Sequence, residues 1–125
     1  MKVVVADDSE LVRERLVEML SEIEGLGAIL EATNGLEARD MIVAEKPEVV
    51  ILDVRMPGRN GLDVLRDIKA SNPATKIIML TNYPYPQYRN KCMEEGADFF
   101  FDKSSEFENV PEVVRTYLSQ QEQSS

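Results

Sequence analysis

Reactive side chains close four apolar runs of this sequence. Val3-Val4-Val5 leads through Ala6 into Asp7-Asp8, Val49-Val50-Ile51-Leu52 into Asp53, Ile77-Ile78-Met79-Leu80 into Thr81-Asn82, and Phe99-Phe100-Phe101 into Asp102-Lys103. If the runs are neighbouring strands, their ends meet, and carboxylates brought together repel unless a cation or a lysine neutralises them. Mg²⁺ answers that need: it takes oxygen ligands, keeps several waters, and binds one or two carboxylates together with phosphate oxygens. Asp7, Asp8 and Asp53 suit such a site, with Lys103 as a fixed positive charge and Thr81 as a hydroxyl donor.

Each residue also has a plainer reading. Asp8 suits the cap of a helix beginning near Ser9, and Asp53 suits the opening of a turn with Met56-Pro57-Gly58. Thr81 alone is an ordinary strand end, and Lys103 alone an exposed lysine. Their recurrence at successive strand ends is what turns and caps do not explain.

The elements that must position these residues follow from periodicity. Continuous apolar runs of this length suit parallel strands covered on both faces, and Ala28-Ile29-Leu30 is a weaker fifth candidate. Between them lie segments of helical spacing, among them Val12, Leu16, Met19, Leu20 and Ile23, and then Val110, Val113, Val114, Tyr117 and Leu118. Asn34 with Glu37 and Ser105 with Glu108 have capping-box spacing, and Asn72-Pro73 and Gly96 mark helix stops. Alternating strand and helix with right-handed crossovers predicts an α/β fold, a doubly wound parallel sheet of (βα)5 type. In such sheets ligands bind beyond the carboxyl ends of the strands, where the four reactive groups fall.

Length and composition bound the function. The 125 residues fit one domain, and 43% hydrophobic with 30% charged residues describes a globular protein with no run long enough to cross a bilayer. The N-terminus reaches acids too early for a secretory signal, which predicts a cytoplasmic location. The net charge of −9 argues against direct contact with nucleic acid or an anionic membrane, and the single Cys92 reads as a small buried hydrophobe. The chain has no histidine, so any phosphohistidine would belong to a partner. The polar residues 120–125 read as a tail or the start of a linker.

Taken in order, VVVADDS, VVILDVRMPGRNG, IIMLTN and GADFFFDKS resemble the motifs of receiver domains of two-component response regulators, over residues 1–119. The resemblance implies a flavodoxin-like strand order 2-1-3-4-5. It implies that Asp53 accepts a phosphoryl group from the phosphohistidine of a sensor histidine kinase or histidine phosphotransfer protein. Asp7, Asp8 and Asp53 would hold Mg²⁺ with the backbone carbonyl of Arg55. Thr81 and Lys103 would contact the phosphoryl group, and Thr81 with the aromatic position Phe100 would form the conformational switch. Such a domain is a regulatory phosphoacceptor whose only catalysis is its own phosphoryl transfer and hydrolysis. The end of the chain soon after a fifth helix points to a complete single-domain regulator.

The sequence departs from the family at two places. Ser104 follows Lys103 where proline is common, which removes the usual reason for a cis peptide. The loop Asn82-Tyr83-Pro84-Tyr85-Pro86-Gln87-Tyr88 carries tyrosines that either pack over the fourth helix or, with the fourth and fifth helices, form a partner surface. Two other readings compete. A hydrolase of haloacid dehalogenase type would share the sheet and the metal but usually has a second acid where Arg55 stands. A receiver-like module that is never phosphorylated would bear the carboxylate repulsion for no gain.

Overall fold

In the computed structural model, which describes residues 1–124, strands and helices alternate along the whole chain. β1 (Val3–Ala6), β2 (Ile29–Ala32), β3 (Val49–Leu52), β4 (Lys76–Thr81) and β5 (Phe99–Asp102) are separated by α1 (Glu10–Ser21), α2 (Gly35–Glu45), α3 (Gly61–Ser71) and α4 (Pro86–Glu94), and α5 (Asn109–Ser124) follows. The strands form one parallel sheet in the order β2-β1-β3-β4-β5. The fold is the expected doubly wound α/β architecture. No helix among the described residues is long and apolar enough to cross a membrane.

The apolar runs are continuous because both faces of the sheet are covered. Successive side chains of a strand point to opposite faces, and here each face meets helices. Val4, Ala6, Val50, Leu52, Ile77, Met79 and Phe100 pack with Ala38 and Ile42 of α2, Val64, Leu65 and Ile68 of α3, and Cys92 of α4. Val3, Val5, Val49, Ile51, Ile78, Leu80 and Phe101 pack with Leu16 and Leu20 of α1 and Val110, Val114 and Leu118 of α5. Ile23, expected on α1, lies two positions past its end and is buried in the same layer.

Local signals set most helix boundaries. Asn34 caps α2 by accepting from the Glu37 N–H at 2.8 Å, while the Glu37 carboxylate reaches back to the Thr33 N–H and hydroxyl. Asn72 and Gly96 follow α3 and α4 as expected. The Ser105–Glu108 box is not made, and α5 begins at Asn109. The turn after β5 is instead held by Asp102, whose Oδ1 accepts from both the Ser104 N–H and its hydroxyl, while Glu106 returns to the Asp102 N–H. The chain therefore turns before Ser105, and Glu108 pairs with Arg15 on α1. At its other end α5 continues through Ser124, so the polar residues from Gln120 extend the helix; Ser125 lies outside the described residues.

The segment joining β3 to α3 is pinned by two close approaches. The Gly35 N–H donates to the Pro57 carbonyl at 3.1 Å, and a Cβ on Gly35 would lie 1.5 Å from the Arg59 carbonyl oxygen. A Cβ on Gly61 would lie 1.9 Å from the carbonyl oxygen of Asp53. The first residue of α3 thus rests directly on the end of β3. Arg59 holds the same segment through a two-pronged pair with Asp67. Because backbone and not a flexible side chain is in the way, Gly61→Ala should cost about 3 kcal/mol, the upper part of the overpacking range. A urea melt should show a lower midpoint at unchanged slope.

Candidate functional site

Four strand ends bring the expected residues together. Asp7 follows β1, Asp53 follows β3, Thr81 ends β4 and Lys103 follows β5; all four are buried, while Asp8 is exposed at the rim. Carboxylate oxygens of Asp7, Asp8 and Asp53 lie within 4.8 Å of one another. The Lys103 ammonium bridges two of them, 2.5 Å from Asp7 Oδ2 and 2.8 Å from Asp53 Oδ2.

Both buried carboxylates are satisfied on their remaining oxygens. Asp7 Oδ1 accepts from the Ser9 N–H at 2.8 Å, and Asp53 Oδ1 from the Arg55 N–H at 3.2 Å. The turn reading of Asp53 is therefore correct as local geometry, and the same side chain also belongs to the cluster. The cap reading of Asp8 is not: Ser9 caps α1 by accepting from the Val12 N–H. Asp8 is left without a local structural duty beside two other acids.

Burial pushes the Asp53 carboxyl above its ordinary range, the hydrogen bond and charge of Lys103 offset part of that, and the Asp7 charge adds to it. For Lys103 burial works downward, and the hydrogen bonds and charges of Asp53 and Asp7 outweigh it, so the ammonium is held above the usual lysine range. An ammonium shared by two carboxylates leaves a net negative cluster with an exposed third acid. Its donors are all hard oxygens, the chemistry that Mg²⁺ selects. The residues fit that ion.

Thr81 is fully buried, and its Oγ1 accepts from the Tyr83 N–H at 3.0 Å. Phe100 is buried on the same face of the sheet as Thr81, and its carbonyl accepts from Arg89. Phe101 fills the opposite layer, whereas Phe99 is partly exposed, stacked on Phe101 at 5.5 Å and edge-on to Tyr117 at 6.3 Å. No cis peptide occurs among the described residues, so Lys103–Ser104 is trans. Cys92 is buried in the core as expected, and burial pushes its thiol up to about 11.

Two arginines had no role assigned to their side chains from sequence. Arg13 donates to the Asp7 carbonyl at 2.8 Å and fixes the start of α1 against β1. The Arg55 guanidinium lies over the Tyr83 ring at 4.3 Å and donates to the Tyr88 hydroxyl at 2.9 Å. Tyr83, Tyr85 and Tyr88 form a chain of ring contacts along the loop and the first turn of α4. Arg55 ties that chain to β3; its partners are far off in sequence, and an aromatic-rich loop was the only signal.

The chain matches the response regulator receiver domain over residues 3–115. It is 32% identical over 120 residues to Response regulator GacA of Pseudomonas aeruginosa, covering 96% of this chain and 56% of that protein. It is 33% identical over 118 residues to Transcriptional regulatory protein LnrK of Bacillus subtilis, covering 94% and 54%. The chain thus spans about half the length of the curated relatives it matches. Among solved structures, the response regulator domain of Thermotoga maritima CheB superposes with a TM-score of 0.82 at 26% identity, covering 96% of this chain and 94% of that one. A family match over residues 3–115, on a sheet of order 2-1-3-4-5, places this protein in the response regulator receiver domain family.

Proposed function

We propose that Asp53 is the phosphoacceptor of this receiver domain and that its phosphorylation state is the signal. The observation that carries this reading is the buried Lys103 ammonium shared between Asp7 and Asp53, with Asp8 open beside them and the Thr81 hydroxyl on the next strand. The domain takes in residues 1–119, and the polar residues 120–125 are its tail or the start of a linker, the end of α5 running into them.

In the proposed transfer an Asp53 carboxylate oxygen attacks the phosphorus of a phosphohistidine on a sensor histidine kinase or histidine phosphotransfer protein. The O–P bond forms as the P–N bond breaks, and the imidazole leaves with the electron pair. Lys103 shifts its donation from Asp53 toward the phosphoryl oxygens, and Thr81 turns its hydroxyl from accepting to donating. These are fixed donors aimed where charge is spread in the transition state. Mg²⁺, held by Asp7, Asp8, Asp53 and the Arg55 carbonyl, would supply further charge neutralisation there when bound. Water attacking phosphorus in the same geometry returns the carboxylate and resets the domain.

Transfer becomes signalling only if the two states differ in conformation. Thr81 and Phe100, on one face of the sheet beneath α4, are the switch pair of this reading. Phe100 lacks a hydroxyl, so its part is steric. The domain works in the cytoplasm on protein partners, and its acidity disfavours direct contact with nucleic acid or membrane. It turns over no separate substrate. A hydrolase of haloacid dehalogenase type is disfavoured because Arg55, where a second acid would stand, is engaged with two tyrosines.

The test is labelling with a small acyl phosphate, read by intact mass and peptide mapping. One phosphoryl adduct should form with Mg²⁺, map to the peptide holding Asp53, decay on standing and be absent with a chelator. An adduct on another residue, or one indifferent to the chelator, overturns the assignment.

A further inference from the structure

Beside the acidic site, between the β3–α3 segment, the start of α3 and α4, lies a groove of about 530 Å³. Its floor is Val54, Leu62 and Cys92, an outward continuation of the α2–α3–α4 core layer. Arg55, Tyr88 and Lys91 stand around it, and the only charged residues lining it are these two cations. In a chain of net charge −9, a groove with cations and no acid selects for negative charge.

Arg55 gives the groove its chemistry. Arg13, Arg15, Arg39, Arg59, Arg66 and Arg115 each pair with a carboxylate, whereas among the described residues Arg89 is taken up by the Phe100 carbonyl and Arg55 pairs with no acid. It is held instead by the face of Tyr83 and the hydroxyl of Tyr88. A guanidinium has five N–H donors, and stacking on an aromatic face orients it while leaving the others to bind. One turn along α4 from Tyr88, the Lys91 ammonium is exposed and pairs at the surface with Glu95, 3.4 Å away. A cavity of this size, apolar below and cationic at the rim, takes a few side chains of one peptide segment.

We propose that this groove docks a partner protein through a short segment in which a carboxylate adjoins apolar side chains. The carboxylate sits on the Arg55 fork with Lys91 lining the same groove, and the apolar side chains cover Val54, Leu62 and Cys92. Control of the groove rests on the phosphoacceptor reading. The Arg55 N–H bonds to Asp53 Oδ1, and the Tyr83 N–H that positions the ring under Arg55 bonds to Thr81 Oγ1. Both acceptors turn to the phosphoryl group when Asp53 is modified, which releases the backbone on either side of the Arg55–Tyr83 stack and lets the stacked fork turn toward the incoming carboxylate.

A displayed library of random short peptides, panned on the full chain, tests this. Enriched sequences should place Asp or Glu beside Leu, Ile or Phe, and a synthetic consensus peptide should shift the resonances of Leu62 and Tyr88. Arg55→Gln and the surface change Lys91→Glu should each weaken it about tenfold, the order of one charge-assisted pair. Phosphorylated chain should bind it at least about fivefold more tightly, the lower edge of ordinary coupling. Peptides without acids, shifts mapping to another face, or affinity indifferent to both substitutions overturn the docking proposal. Equal affinity for labelled and unlabelled chain overturns the control. Failure of Asp53 to be labelled strikes the phosphoacceptor reading alone, since docking to the unlabelled chain is measured separately.

Discussion

Asp53→Asn should gain no phosphoryl mass from an acyl phosphate under conditions that label the parent chain fully. The amide keeps the size and shape of the carboxylate but is neutral, and its oxygen is too weak a nucleophile to attack phosphorus. The fold should survive. Lys103 keeps its partner Asp7, and the loss of one charge from a buried group relieves a desolvation cost while removing an ion pair, two effects of opposite sign. Stability should therefore stay within about 1 kcal/mol of the parent by thermal melt. Full labelling of the variant would move the nucleophile elsewhere, and collapse of the fold would make Asp53 a structural residue.

Lys103→Met should be the most destabilising change at the site. The side chain is buried, and its ammonium is the one cation contacting the carboxylates of Asp7 and Asp53 among the described residues. Methionine fills the space but leaves two buried carboxylates facing each other and Asp8. Breaking a buried pair by removing one partner costs about 3–5 kcal/mol. The loss should depend on Mg²⁺. In the parent chain the ammonium already occupies one oxygen of each buried acid; in the variant those oxygens are free for the divalent ion. Ligand that binds only the folded chain stabilises it by about 2.7 kcal/mol at a hundred times its Kd. Added Mg²⁺ should hence raise the melting temperature of the variant more than that of the parent, and an equal rise would mean that Lys103 and the ion do not share oxygens.

The sheet was legible in the sequence because a parallel strand covered on both faces must be apolar at every position. Ile77 to Leu80 could be read as a strand without knowing which residue meets which helix. The site was legible for a related reason: the fold gathers strand ends, so the residue ending each run was a candidate wherever the partners lay. What could not be read depended on competition or on distance. Ser105 and Glu108 have capping spacing, but the Glu108 carboxylate is engaged by Arg15, 93 positions away. Asp8 and Ser9 are both good caps, and only the Ser9 bond to the Val12 N–H decides between them. The Arg55 side chain finds Tyr88 33 positions away, and nothing near Arg55 announces it. The close approaches of Gly35 to Arg59 and of Gly61 to Asp53 join separate segments of the chain, and no local pattern marks them.

The shared ammonium also ties the edge of the sheet to its middle. Asp7, Asp8 and Asp53 are delivered by β1 and β3, neighbours at the middle of the sheet, while Lys103 comes from β5, an edge strand bonded only to β4. Lys103 lies 50 positions beyond Asp53, so its arrival closes a long loop. A chain that has paired β1 with β3 but not yet docked β5 holds its acids together with nothing between them. Docking the last strand relieves that repulsion, and its departure restores it. The edge strand, which hydrogen bonds alone would leave the easiest to open, is thereby held from its far end by the charge of the site it completes.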